Sequence, residues 1–230
     1  MMCAVLGCGR IGFDAPGGAG SPSDGDGGTG DDGGTVDAAI TTSSDCPTTV
    51  ALSDDFTSPT TLPIWTPFTG TNMSYSQGSG YLELLFGSGT TPAGSRTGYT
   101  QTTPYDFTES CAIVELAAVP AGGFASMQVG TNAAFADFEY ANGKMILNHK
   151  GGVLGGPTYD PVAHRFLRLR VHAGTWYWEA SPDGMTYTTL TSATGQFVAN
   201  PAAVTLQLGA SGGVQNGGSA NFRNAQVFVP

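Results

Sequence analysis

Four side chains near residue 170 have the types and spacing to do chemistry together. In Leu167–Ala180, a two-residue turn at Ala173-Gly174 sets Arg170 opposite Tyr177 and Arg168 opposite Glu179. Leu167, Leu169, Val171, Trp176, Trp178 and Ala180 then share the other face. A sugar ring needs an aromatic surface to stack on and planar hydrogen-bonding groups at its edge. Arg168, Arg170, Tyr177 and Glu179 meet that need and are the candidate ligand-binding residues, with Tyr177 as the platform. Across a second hairpin, turning at Asn142-Gly143, Asp137 faces Asn148 and Glu139 faces Ile146, while Phe138, Tyr140, Met145 and Leu147 form the apolar face. Asp137, Glu139 and Asn148 extend the polar row.

Other chemistries find less support. His149, His164 and His172 are the three histidines, and no Gly-x-Ser-x-Gly elbow accompanies them. No Cys-x-x-Cys pair is present and the histidines are remote from the cysteines, which argues against zinc. The net charge of −10 argues against nucleic acid as a partner.

The elements that must position these residues are strands. Only 11% of residues are charged, against about 25% in an ordinary soluble protein. Glycine supplies 35 of 230 positions. Surface helices need Glu, Lys and Arg, and each interior glycine costs about 1 kcal/mol. From Cys46 onward Val, Thr, Phe, Tyr and Trp recur in short runs between Gly, Pro, Asn and Asp, the pattern of many strands joined by tight turns. No apolar run approaches the roughly 18 residues of a transmembrane helix. Residues 9–45 differ: they hold seven Asp, eleven Gly and a single aromatic, Phe13. Such a segment buries too little apolar area to offset chain entropy, and is expected to be a disordered tether. The domain reading is therefore 1–8 a signal remnant, 9–45 a Gly/Asp-rich linker, and 46–230 one all-β domain.

Val5-Leu6-Gly7-Cys8 resembles a bacterial lipobox, with a small residue before a cysteine that becomes lipidated. The resemblance implies a lipoprotein of the bacterial cell envelope, anchored at Cys8, with its true start upstream and Cys3 removed. Cys46 and Cys111 then remain, and a disulfide between them is expected; it would tie the domain's first residue to the strand beginning at Cys111. Closing a loop of about 65 residues would stabilise by roughly 4 kcal/mol.

Past the second hairpin, Ser181-Pro182-Asp183-Gly184 and then Tyr187-Thr188-Thr189-Leu190 follow the arginine-rich and aromatic-rich strands. Together with Ser53-Asp54-Asp55-Phe56, Trp65, Gly80–Leu84 and Ala220–Val227, this resembles concanavalin A-like jelly rolls, the laminin-G-like and glucanase-like domains. The resemblance implies a two-sheet antiparallel jelly-roll β-sandwich over about 50–230. Retaining glucanases of that fold carry Glu-x-Asp-x-(x)-Glu on one strand. Here Glu115 stands alone and Asp137-x-Glu139 lacks a third carboxylate, so the expectation is a non-catalytic, monomeric module for glycan or another envelope polymer. A structural or protein-binding envelope lipoprotein and a divergent glycoside hydrolase are the alternatives. No cofactor is expected, except that related domains often hold calcium. Asp54 and Asp55 are the weak candidates, with Arg223 expected beside them in place of the cation. Phe56 and Phe222 are expected to be buried, with a bulge near Asn224. Gly151–Pro157 is expected to be a loop at the rim, and Trp65 and Tyr159 are reserve loop aromatics.

Overall fold

The computed structural model describes residues 45–131, 133–195, 197–198, 200–212 and 218–230. The lipobox-like segment and residues 9–44 of the tether lie outside these. The described strands are β1 (Thr49–Asp54), β2 (Trp65–Thr69), β3 (Met73–Gly78), β4 (Tyr81–Phe86), β5 (Arg96–Gln101), β6 (Cys111–Ala118), β7 (Phe124–Thr131), β8 (Ala134–Ala141), β9 (Lys144–His149), β10 (Gly152–Gly155), β11 (Phe166–His172), β12 (Thr175–Ser181), β13 (Thr188–Thr194), β14 (Leu206–Ser211) and β15 (Gly218–Val229). They form two antiparallel sheets. One runs β13-β12-β11-β6-β15-β4-β3, with β1 also paired to β15; the other runs β10-β9-β8-β7-β14-β5-β2. This is the expected two-sheet sandwich.

Both hairpins form in the expected register. Arg168 pairs with Glu179, Arg170 with Tyr177, Asp137 with Asn148 and Tyr140 with Met145. The turn residues explain why: Asn142-Gly143 sits at φ 49° and 77°, and Ala173-Gly174 at 49° and 73°, the two left-handed positions of a type I′ turn. The hairpins, however, belong to different sheets, so Asp137, Glu139 and Asn148 do not extend the Arg168 row. The expected rim loop contains the edge strand β10.

The core between the sheets takes the apolar face of each strand. Trp178, Tyr99, Phe107 and Phe138 fill it, and Phe56 and Phe222 are buried as expected. Side-chain bonds join the sheets across it: Trp178 Nε1–H on β12 donates to the backbone carbonyl of Asp137 on β8, and Trp65 Nε1–H on β2 to Asp54 Oδ2 on β1, both at 2.8 Å. Long β15 follows the expected bulge, with a register shift between Arg223 and Gln226 and Asn224 at φ 49°. The bulge lets Phe222 and Val227 both point inward.

A second, smaller core lies on the outside of the eight-stranded sheet. Cys46, Cys111, Ile113, Phe166 and Phe228 pack there with Tyr187. The Cys46–Cys111 disulfide is present and holds the start of the domain against β6. Under it lies Arg168. Its Nε donates to Glu179 Oε2 at 2.6 Å, its guanidinium stacks 3.9 Å from the centre of the Tyr187 ring, and it meets Cys46 Sγ and Asp45.

Trp178→Ala should therefore cost about 3–5 kcal/mol, through the cavity it leaves. Arg168→Ala should cost about 3 kcal/mol or more, because breaking one side of a buried pair strands the other. Urea melts check both. A cost for Arg168→Ala below about 1 kcal/mol, the range of surface ion pairs, would show that the segment at Cys46 does not cover it.

Candidate functional site

The row expected to face solvent is closed at Arg168 and Glu179, while Arg170 and Tyr177 stay half-buried. Arg168 and Glu179 are 1% and 2% exposed. Glu179 is saturated: it accepts from Arg168 Nε, from Arg170 Nε and Nη2, and from Thr189 Oγ1. Although burial opposes its charge, these donors hold the Glu179 carboxyl below its ordinary range. Arg170 lies 4.1 Å over the Tyr177 ring, covering the face proposed as a platform. The alternation was read correctly, but the segment at Asp45 and Cys46 covers this part of the face. The row is a structural ion network, and no ligand reaches Arg168 or Glu179.

Asp54 and Asp55 are likewise engaged. Asp54 accepts from Phe56 N–H and Trp65 Nε1–H, both at 2.8 Å, and buries Trp65 in the core. Asp55 accepts from the backbone and hydroxyl of Thr57. Both oxygens of Asp54 and Oδ1 of Asp55 are thus committed to protein donors. Among the described residues no group of three or more His, Cys, Asp or Glu is gathered to hold a metal. Arg223, expected beside Asp54 or Asp55, lies 3.7 Å over the Tyr81 ring. Tyr159 packs edge-on against Tyr140 at 5.0 Å.

The outer face of the seven-stranded sheet is built differently. Strand pairing places Asn148, Asp137, Gln128, Gln207, Thr100 and Thr66 in one row across β9, β8, β7, β14, β5 and β2. At about 4.8 Å per strand, that row of polar groups is about 24 Å long. Gln207 Nε2 donates to Thr100 Oγ1 along it. The next row is Ile146, Glu139, Ser126, Gly209, Gly98 and Phe68. Its centre is low because two residues have no side chain. A Cβ on Gly98 would strike the Leu208 carbonyl, so the backbones approach too closely for anything larger. Phe68 sits at the end of this trough, its ring tip 3.9 Å from where a Cβ on Gly209 would stand.

Two carboxyl groups stand at one end. Asp137, 5% exposed, has its pKa pushed up to about 7, by burial first and then by the neighbouring Glu139 charge; an Asn148 hydrogen bond and Arg96 oppose the shift. Its Oδ1 is buried without a hydrogen-bond partner among the described residues. Glu139 is also raised, by burial, against the pull of Arg96. The Trp178 bond holds the backbone of Asp137 from behind. Phe135-Ala136-Asp137-Phe138-Glu139 thus presents two carboxyls on alternate residues, with Phe135 two places before Asp137. A neutral acid beside a second carboxylate, near polar groups and an aromatic ring, can donate a proton to a bound sugar oxygen.

No family model matches the chain, and no curated protein matches it in sequence. Solved structures do match it in fold. A laminarinase from Flavobacterium sp. UMI-01 superposes with a TM-score of 0.57 at 11% identity, over 78% of this chain and 100% of the other. A Bacillus licheniformis β-glucanase gives 0.53 at 13%, over 80% and 99%. The exoplasmic/lumenal domain of VIP36 in its Ca2+-bound form gives 0.53 at 12%, over 76% and 89%. The fold is a concanavalin A-like jelly roll. The expectation of a module without catalysis is corrected here: structures sharing the fold include glycan-cleaving enzymes and a transglycosylase.

Asp137 gives this face a pH signature. Its folded pKa lies above its ordinary 3.8, so folding favours the protonated form. The stability it supports is complete below about 4 and is lost as pH rises through about 7. Asp137→Asn should remove that loss, so the stability difference between variant and wild type should grow from pH 4 to pH 7.5 in favour of the variant. Parallel urea melts at each pH measure it. A difference independent of pH would place the Asp137 carboxyl in water.

Proposed function

We propose that the domain processes glycan on the outer face of its seven-stranded sheet, with Asp137 as proton donor and Glu139 as its carboxylate partner. The observation that carries this reading is the buried, elevated Asp137 carboxyl beside Glu139 on an otherwise polar sheet face. Alternate residues of a strand lie about 6.6–6.8 Å apart at Cα. Paired carboxyls in glycoside hydrolysis work at about 5–10 Å, one protonated and one ionised. Asp137, protonated near neutrality, would donate to the leaving oxygen. Glu139, within reach of the Arg96 charge, would be the ionised member. Gln128, Asn148 and Gln207 supply amides for sugar hydroxyls, and Phe68 supplies a ring beside the glycine trough. A laminarinase and a β-glucanase share this fold, which supports the same substrate class.

The test is release of new reducing ends from a panel of polysaccharides. Asp137→Asn and Glu139→Gln should each lower turnover at least about 100-fold, the scale of general acid–base catalysis, and leave polymer binding within a few-fold. Unchanged turnover in either variant, or no cleavage of any polymer by the wild type, would overturn the proposal.

We further propose that the domain is tethered to the bacterial envelope through lipidated Cys8, on the strength of Val5–Cys8 and the Gly/Asp-rich segment behind it. Cys8→Ser should move the protein from the membrane fraction to the soluble one, and retention with membranes would contradict the anchor.

A further inference from the structure

A cavity of about 480 Å3 opens where the loop before β6, the β11–β12 hairpin and the segment after β13 meet. That is within the size range of small-molecule sites, about 300–1,000 Å3. Backbone hydrogen bonds hold these segments together: Val171 N–H donates to the Ser110 carbonyl at 2.9 Å, and Phe107 N–H to the Pro201 carbonyl at 2.7 Å. Val171, Trp176, Phe197, Val198 and Pro201 give the cavity its apolar lining. The Trp176 and Phe197 rings meet as a corner, with centres 5.9 Å apart and planes at 57°. His149 of β9 stacks 4.1 Å from the Phe197 ring, which limits its rotation.

Among the described residues, Thr108 and Glu109 are the polar side chains of this lining. The Thr108 hydroxyl donates to Asp106 Oδ1 at 2.7 Å. Glu109 is the group left to meet a ligand. Its Oε1 accepts from Ala173 N–H at 2.8 Å, and its Oε2 lies 2.9 Å from His172 Nδ1. These bonds fix the carboxylate against the hairpin turn while its side chain stays 47% exposed. A neutral imidazole donates its N–H without cancelling the charge. Among the described residues Glu109 pairs with no Lys or Arg. An anion, a phosphate-linked headgroup included, is therefore repelled here, on a chain whose formal charge is −10. A sugar finds too few partners for its hydroxyls. A positive charge carried on methyl or methylene groups suits both parts of the cavity: the carboxylate meets the charge, and the aromatic corner meets the C–H surface around it.

We propose that this cavity is a second binding site, which takes a small, free organic ammonium ion. Glu109 holds the charge, and Trp176 and Phe197 pack on the alkyl groups that carry it. The site uses none of the residues assigned to glycan processing and does not depend on that activity.

The experiment is a two-dimensional amide NMR titration of the full chain with choline chloride and with 3,3-dimethylbutan-1-ol, which has the same shape with carbon in place of the quaternary nitrogen. Choline should shift the amides of Glu109, Trp176 and Phe197 saturably, at concentrations about 10-fold below those the alcohol needs, the scale of a desolvated cation–π contact. Glu109→Gln keeps an acceptor for Ala173 N–H and removes the charge, so choline should then bind no better than the alcohol. Asp137→Asn should leave the choline shifts unchanged. Equal action of choline and the alcohol on the wild type would reduce the cavity to an apolar cleft and overturn the proposal. Choline shifts that survive undiminished in Glu109→Gln, or that fall only elsewhere on the chain, would overturn it too. Phosphocholine acting more strongly than choline would assign a headgroup in place of a free ion, with the same consequence. Should Glu109→Gln lose its folded spectrum, Phe197→Leu tests the aromatic corner instead. It should weaken choline several-fold more than the alcohol, and equal weakening would count against the site.

Discussion

The hydrogen bond from Trp178 to the carbonyl of Asp137 is the interaction on which the site depends. A buried indole must donate its N–H or forfeit a hydrogen bond it had in water. In this core no side chain meets that donor. Its partner is the backbone of the opposite sheet, at 2.8 Å. The bond spans the sandwich, so it fixes the height of β8 relative to β12 as well as the spacing of the sheets. The residue whose carbonyl is held is the one whose carboxyl lies on the far side of the sheet. Core packing around Trp178, which includes the Phe197 ring 6.1 Å away, is thereby transmitted to the position of a titrating group.

The two outer faces divide the work. The eight-stranded sheet has part of its face sealed by the start of the domain, pinned through Cys46–Cys111 over a small apolar cluster and the Arg168–Glu179 pair. The charges there stabilise by being mutually satisfied. The seven-stranded sheet buries part of its outer face too, with Asp137 and Gln128 each 5% exposed. Its face keeps amides, hydroxyls and two carboxyls, with Gly98 and Gly209 lowering the middle. Carboxyls pushed upward by burial, rather than pulled down by arginines, distinguish Asp137 and Glu139 from Glu179. That contrast separates a group poised to exchange protons from one locked in a network.

Much of the fold was legible because local rules carried it. Asn142-Gly143 and Ala173-Gly174 set two registers, strict alternation set their faces, and the clash between Phe222 and Val227 demanded the bulge at Asn224. The site was less legible. Arg168 and Glu179 alternate in the same way whether water or another segment lies over them, and their cover comes from Asp45 and Cys46, more than 120 residues earlier. Which hairpin belongs to which sheet is a topological fact with no local signal. The trough needs Gly98 beside Gly209 and Phe68 beside Gly98, contacts that exist only after β2, β5 and β14 pair. Reading Asp137-x-Glu139 against a three-carboxylate pattern led away from catalysis, because sequence alone does not show a carboxyl's burial.

The most direct test is the carboxyl carbon shift of Asp137, titrated by NMR in wild type and in Trp178→Phe. The variant keeps an aromatic ring in the core and deletes only the donor and the smaller ring's volume. The account predicts a midpoint near 7 in the wild type. In the folded variant the midpoint should fall toward the ordinary 3.8, as β8 loosens and water reaches the carboxyl. The same midpoint in both proteins would contradict the claim that the cross-core bond sets the chemistry of this face.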